Sequence, residues 1–101
     1  MILLDKKIKE KIESIAIHYS EPKQIAKSIE EFAELQQVLA KYLANGGTYD
    51  NYRENLTGKL ADVIIMLNQI IFLECVDEKD IESCIDYKLN RQLERIANEQ
   101  Y

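Results

Sequence analysis

Turn-forming residues are scarce in this chain, with three glycines and one proline among 101 residues. Strands joined about every ten residues need far more turn chemistry than that, which excludes a many-turned all-β domain and a low-complexity disordered chain alike. The chain therefore reads as all-α, and its length as a single domain over residues 1–101. A chain of this size buries on the order of 60 to 70% of the surface that its unfolded form exposes. That is enough for one core with little to spare, so further copies of the chain would help to complete it.

Apolar residues recur at helical spacing in four stretches. Leu4, Ile8, Ile12, Ile15 and Tyr19 predict an amphipathic helix over 3–19, and Ser20-Glu21-Pro22 closes it and opens the next, since proline suits a first helical turn. A second helix is expected over 23–44, with Ile25, Ile29, Phe32, Leu35, Leu39, Tyr42 and Leu43 as its apolar stripe and Asn45-Gly46-Gly47 as its stop. Residues 45–53 form the one long polar loop and carry Tyr49 and Tyr52. The third helix, 54–74, is the most apolar. Ile65, Met66, Phe72 and Leu73 widen its stripe nearly all round, so it needs cover on more than one side from its own chain or another subunit. Asp77-Glu78-Lys79-Asp80 starts a fourth helix with the stripe Ile81, Ile85, Leu89, Leu93 and Ile96. Four helices with short links predict a self-associating up-and-down four-helix bundle.

Eighteen acidic against 13 basic residues give a net charge of −5, which argues against duplex nucleic acid as a partner. No segment approaches the roughly 18 to 20 apolar residues that cross a bilayer, and Met1-Ile2-Leu3-Leu4 meets Asp5, Lys6 and Lys7 at once, unlike a secretory signal. A cytoplasmic protein with no membrane partner is expected. Cys75 and Cys84 then read as reduced, packed thiols.

Glu31 and Glu34 lie three apart on the second helix beside Phe32 and Leu35, and like charges at that spacing repel unless solvated or held by a cation. Asp62 sits among Leu60, Ala61, Val63, Ile64, Ile65, Met66 and Leu67, where a charge needs a partner. With the second and third helices antiparallel, Asp62 approaches the two glutamates. Three convergent carboxylates suit a hard divalent cation such as Mg²⁺; the competing arrangement is a salt bridge from Asp62 to a lysine or arginine.

These segments resemble the all-α nucleoside triphosphate pyrophosphohydrolases of the MazG type, with the related dimeric dUTP and dCTP pyrophosphatases. His18-Tyr19-Ser20-Glu21-Pro22-Lys23-Gln24 is similar to the family's first link, Glu30-Glu31-Phe32-Ala33-Glu34-Leu35 to its EExxEL signature, and Leu60-Ala61-Asp62-Val63-Ile64-Ile65-Met66-Leu67 to its LADVxIML segment. Tyr87-Lys88-Leu89-Asn90-Arg91 and Arg95-Ile96 resemble its last helix. The resemblance spans most of the chain and implies a Mg²⁺-dependent hydrolase that releases pyrophosphate from a nucleoside triphosphate. It further implies that Glu31, Glu34 and Asp62 hold the metal and its attacking water, and that Lys88 and Arg91 meet phosphates; by their position, Tyr49 and Tyr52 in the loop could stack on a base and His18, Tyr19 and Gln24 near the first link could read its edge.

One departure stands out. The fourth acidic position of the family is Lys59 here, and its often acidic neighbour is Gly58. An ammonium in place of a carboxylate changes local charge by two units. Lys59 can swing to solvent and leave a three-carboxylate site, pair with Glu31, Glu34 or Asp62 and replace the ion, or be compensated by Glu54 or Glu30. The functions open to the chain are a Mg²⁺-dependent hydrolase impaired by Lys59, a silent homologue that binds a nucleotide or a protein partner, and an oligomeric helical interaction module whose acidic pairs are surface charge. A homodimer or homotetramer is expected in each case.

Overall fold

A computed structural model describes residues 4–99 and contains four helices: α1 (Lys6–Tyr19), α2 (Glu21–Ala44), α3 (Tyr52–Leu73) and α4 (Glu78–Asn98), with no strand among the described residues. The all-α expectation holds. The first helix, expected from residue 3, starts later: residue 3 lies outside the described residues, and Leu4 and Asp5 precede α1. Asp5 caps α1 by accepting from the Ile8 amide at 2.9 Å, and Asp77 caps α4 by accepting from the Lys79 amide at 2.8 Å. Pro22 sits in the first turn of α2, where its missing N–H costs nothing.

The α1–α2 link is a single residue, Ser20, at φ 75° and ψ 166°. That region is essentially reserved for glycine, and a serine held there stores on the order of 1 to 3 kcal/mol of strain. The sharp reversal it makes brings Tyr19 and Gln24 to the same end of the helices. Gly46 (φ 70°), Gly47 (φ 124°) and Asn51 (φ 61°) turn the chain between α2 and α3. Tyr52 stacks on Tyr42 at 4.7 Å, Tyr49 leans on Tyr52 at 5.2 Å, and the Lys41 ammonium lies 4.4 Å from the Tyr49 ring. The loop tyrosines thus clasp the hairpin shut.

α2 and α3 pack against each other as an antiparallel pair and α1 lies against both, whereas α4 shares little contact with the rest. The fully buried apolar residues are Ile12, Ala16 and Met66. The fully buried residues of α2 are all polar: Gln24, Ser28 and Glu31, one helical face at i, i+4 and i+7. This corrects the apolar stripe assigned to α2, of which Ile29 is 64% and Leu43 77% exposed. Ile25, Phe32, Leu35 and Tyr42 of that stripe are half-buried, so the apolar face flanks the packed side of α2 and does not form its centre.

Among the described residues one helix, α3, is long and apolar enough to cross a membrane by length and composition. This corrects the expectation that no segment approaches that length: Lys59 and Asp62 interrupt the helix but are outweighed by its many Leu, Ile, Val, Met and Phe residues. Cys75 and Cys84 are both free and exposed, so the expected reduced state agrees with the structure and the expected packing does not.

Candidate functional site

The seam between α2 and α3 keeps one antiparallel register from end to end. The Gln24 amide donates to the Gln69 carbonyl at 2.6 Å, Glu31 faces Asp62, and Lys59 reaches Glu34 with 3.6 Å between Nζ and Oε1. Each step along one helix is matched by an equal step back along the other, which is why the Lys59 position can only face Glu34. The Gln69 amide in turn donates to the Ile12 carbonyl at 3.4 Å and ties α1 to the pair. Gln69 is 1% exposed, so these bonds are the ones that make its burial tolerable.

Glu31, Glu34 and Asp62 lie along one seam with two lysines among them, and not as a group placed to hold a metal ion. Glu31 is 92% buried by residue, being 8% exposed. Burial works to raise its carboxyl, but the hydrogen bond from Lys27, with contributions from nearby Glu34 and Asp62, outweighs this and holds it below the usual carboxylate value. Lys27 lies 3.2 Å from Glu31 Oε1 and 3.7 Å from Glu30, and its own ammonium is held above its ordinary value, first by the Glu31 hydrogen bond and then by the charge of Glu30. Glu31 Oε2 is buried without any hydrogen-bond partner.

These observations test Mg²⁺. The oxygens are of the hard type that Mg²⁺ takes, and Glu31 Oε2 is unsatisfied. Against this, Lys27 and Lys59 already carry two positive charges into the cluster, and among the described residues no group of three Asp, Glu, His or Cys side chains is placed to hold a metal ion. As arranged, the residues do not fit Mg²⁺. Of the three arrangements open to Lys59, the structure has the one in which it pairs with a glutamate.

Beside the cluster, α1, α2 and α3 enclose a groove of about 430 Å³. Ile15, Ile65 and Met66 form apolar walls, Gln24 and Gln69 contribute amides, and Tyr19, Lys23 and Lys27 complete the lining. The Lys23 ammonium lies 5.9 Å from the Tyr19 ring. Tyr19 and Gln24, singled out from the sequence, both line this groove. Lys88 and Arg91 stand exposed on α4, where Arg91 lies 5.7 Å from the Tyr87 ring, and no ion pair among the described residues joins them to the acidic cluster. Sequence reasoning missed Lys27, Ser28 and Gln69. Their signal was a polar register, Gln24-Ser28-Glu31 on α2 facing Asp62-Met66-Gln69 on α3, which an apolar-stripe search passes over.

Comparison with protein-family models, curated proteins and solved structures finds no match for this chain.

Proposed function

We propose that this chain is a catalytically silent, MazG-like helical protein that binds a nucleotide in the groove between α1, α2 and α3. The observation that carries this reading is the pairing of Lys59 with Glu34, which puts an ammonium where the resembled family has a carboxylate for its metal. The groove supports the ligand class. Its apolar walls and the Tyr19 ring suit the faces of a planar base, and its amides suit a base's polar edge. Lys23 and Lys27 supply cations for phosphate oxygens at the same opening.

Calorimetry with a panel of dNTPs and dNMPs, in Mg²⁺ and in chelator, tests the proposal alongside a pyrophosphate-release assay. Binding that survives the chelator, with no pyrophosphate released, is the expected result. Gln24→Ala should weaken binding at least about fivefold, since one lost hydrogen bond in a desolvated groove is worth about 1 kcal/mol. The absence of binding by every nucleotide would leave the interaction-module reading.

A second reading, an Mg²⁺-dependent pyrophosphohydrolase impaired by Lys59, is favoured by the unsatisfied Glu31 Oε2. It requires Lys59 to leave Glu34. Pyrophosphate release by the unaltered chain in Mg²⁺, abolished by Glu31→Gln, would establish it in place of the silent reading. Lys59→Glu should create or strongly raise Mg²⁺ affinity under either reading, because it removes the positive charge and adds a hard donor.

A further inference from the structure

α1 is held against the rest of the chain by little. Its buried residues are Ile12 and Ala16, a single line along the helix, and it shares far fewer contacts with α2 and α3 than they share with each other. Helical spacing sets Ile15 and Tyr19 on one flank of that line and Lys9 and Glu13 on the other. Each flank borders a void: the groove of about 430 Å³ beside Ile15 and Tyr19, and a cavity of about 50 Å³ between Lys9, Glu13, Ile71 and Phe72. Among the described residues one side-chain hydrogen bond joins α1 to the α2–α3 pair, from the Gln69 amide to the Ile12 carbonyl at 3.4 Å. One ion pair joins it to α4, Lys9 to Glu78 at 4.0 Å, and an exposed pair of that length holds little. At its end α1 meets α2 through Ser20 alone, at φ 75° and ψ 166°, a backbone conformation that a serine leaves once the packing that imposes it lets go.

The inner end of the groove is closed while α1 is docked. Met66 and Gln69 both line it, yet they are 6% and 1% exposed, so a planar base reaches the Gln69 amide only if α1 moves. We infer that α1 is a hinged gate on this groove: it swings about Ser20 as a unit, away from the α2–α3 pair, and opens Met66 and the Gln24 and Gln69 amides to an entering ligand. The strain at Ser20 sets the balance. It is present in the docked position and absent once α1 is free to take an ordinary backbone angle, so it eases opening while the α2–α3 seam stays formed. Gln69 couples the two ends of the device, because a ligand that takes its amide competes directly with the Ile12 carbonyl that holds α1 in place. The use of such a gate rests on the nucleotide reading of the groove, whereas the motion belongs to the empty chain, so the two fail separately.

In a chain with both native cysteines replaced by serine, Met66→Cys places a thiol at the inner end of the groove. Its reaction with dithiobis(nitrobenzoic acid), an aromatic anion, reads groove access with no nucleotide present. Labelling should proceed through an opening whose urea dependence is well below that of global unfolding, followed by circular dichroism in the same chain. Ser20→Gly, which accepts φ 75° without strain, should slow the labelling about tenfold, and Ser20→Val should speed it by a similar factor. Ile29→Cys, exposed on α2, should react at one rate whatever stands at position 20. Should Met66→Cys prevent folding, hydrogen exchange of the native chain makes the same comparison: the α1 amides should exchange at least about tenfold faster than those of the α2–α3 seam, and more slowly in Ser20→Gly. Labelling, or α1 exchange, that occurs only with the urea slope of global unfolding overturns the gate. So does a rate that Ser20→Gly leaves unchanged.

Discussion

The α2–α3 seam and the α4 face invert each other. On the seam, Gln24, Ser28, Glu31 and Gln69 are buried and polar; on α4, Ile85, Leu89, Leu93 and Ile96 are exposed and apolar. Within one copy, then, burial does not follow polarity. A buried polar group persists only where partners at fixed register satisfy it, as Gln24 and Gln69 satisfy each other. An exposed apolar stripe persists only where something outside the copy covers it. The first condition is met on the seam, and nothing within the copy meets the second.

Breaking the seam should have the larger effect. Gln69→Ala leaves the Gln24 amide without its acceptor in a dry environment and opens a cavity, and should cost about 2 to 4 kcal/mol in urea unfolding. Gln24→Leu with Gln69→Leu removes both partners together and should cost less than either polar orphan, while abolishing nucleotide binding. Leu93→Ala, by contrast, should leave the stability of an isolated copy within about 0.5 kcal/mol, because nothing in that copy covers the side chain. A comparable loss from Leu93→Ala at protein dilutions where the chain is monomeric would erase the contrast.

The seam should also be acid-sensitive. The Glu31 carboxyl is held below its ordinary value of 4.5, so its contribution to stability is full above that pH and is lost as pH falls through the lower, folded value. The stability difference between the native chain and Glu31→Gln, followed by denaturant unfolding from pH 7 to pH 3, should therefore shrink on acidification. A difference that grows as pH falls would contradict the assignment. Lys59→Met removes a part-exposed ion pair and should shift stability by no more than about 1 kcal/mol, so that any change in Mg²⁺ or nucleotide binding reads as function. The smallest expected effect is Gly58→Ala, where a Cβ meets nothing within 4 Å, and it should stabilise α3 by about 0.5 to 1 kcal/mol.

Much of the fold was legible in the sequence because it depends on local spacing. Four helices, the start of α4 at Asp77, the helix-opening Pro22 and the glycine stop after α2 all follow from residues within a few positions of one another, whereas the cap at Asp5 was missed because the apolar spacing begins before it. The candidate site was half legible. Glu31, Glu34 and Asp62 stood out as charges among apolar neighbours, and Tyr19 and Gln24 by their place near the first link, whereas Lys27 and Gln69 carried no signal of their own. Nothing local distinguishes a glutamine bound for the interior from one bound for water.

The sequence by itself determined the helices, their order and the acidic character of the seam, since turn chemistry and periodicity act over one or two helical turns. Only the tertiary structure decided which face of α2 is buried, that Lys59 meets Glu34, and that α4 stands apart. Each of those depends on the register between helices far apart in the chain, where the partner of a side chain, and not its own polarity, sets the energy of burying it.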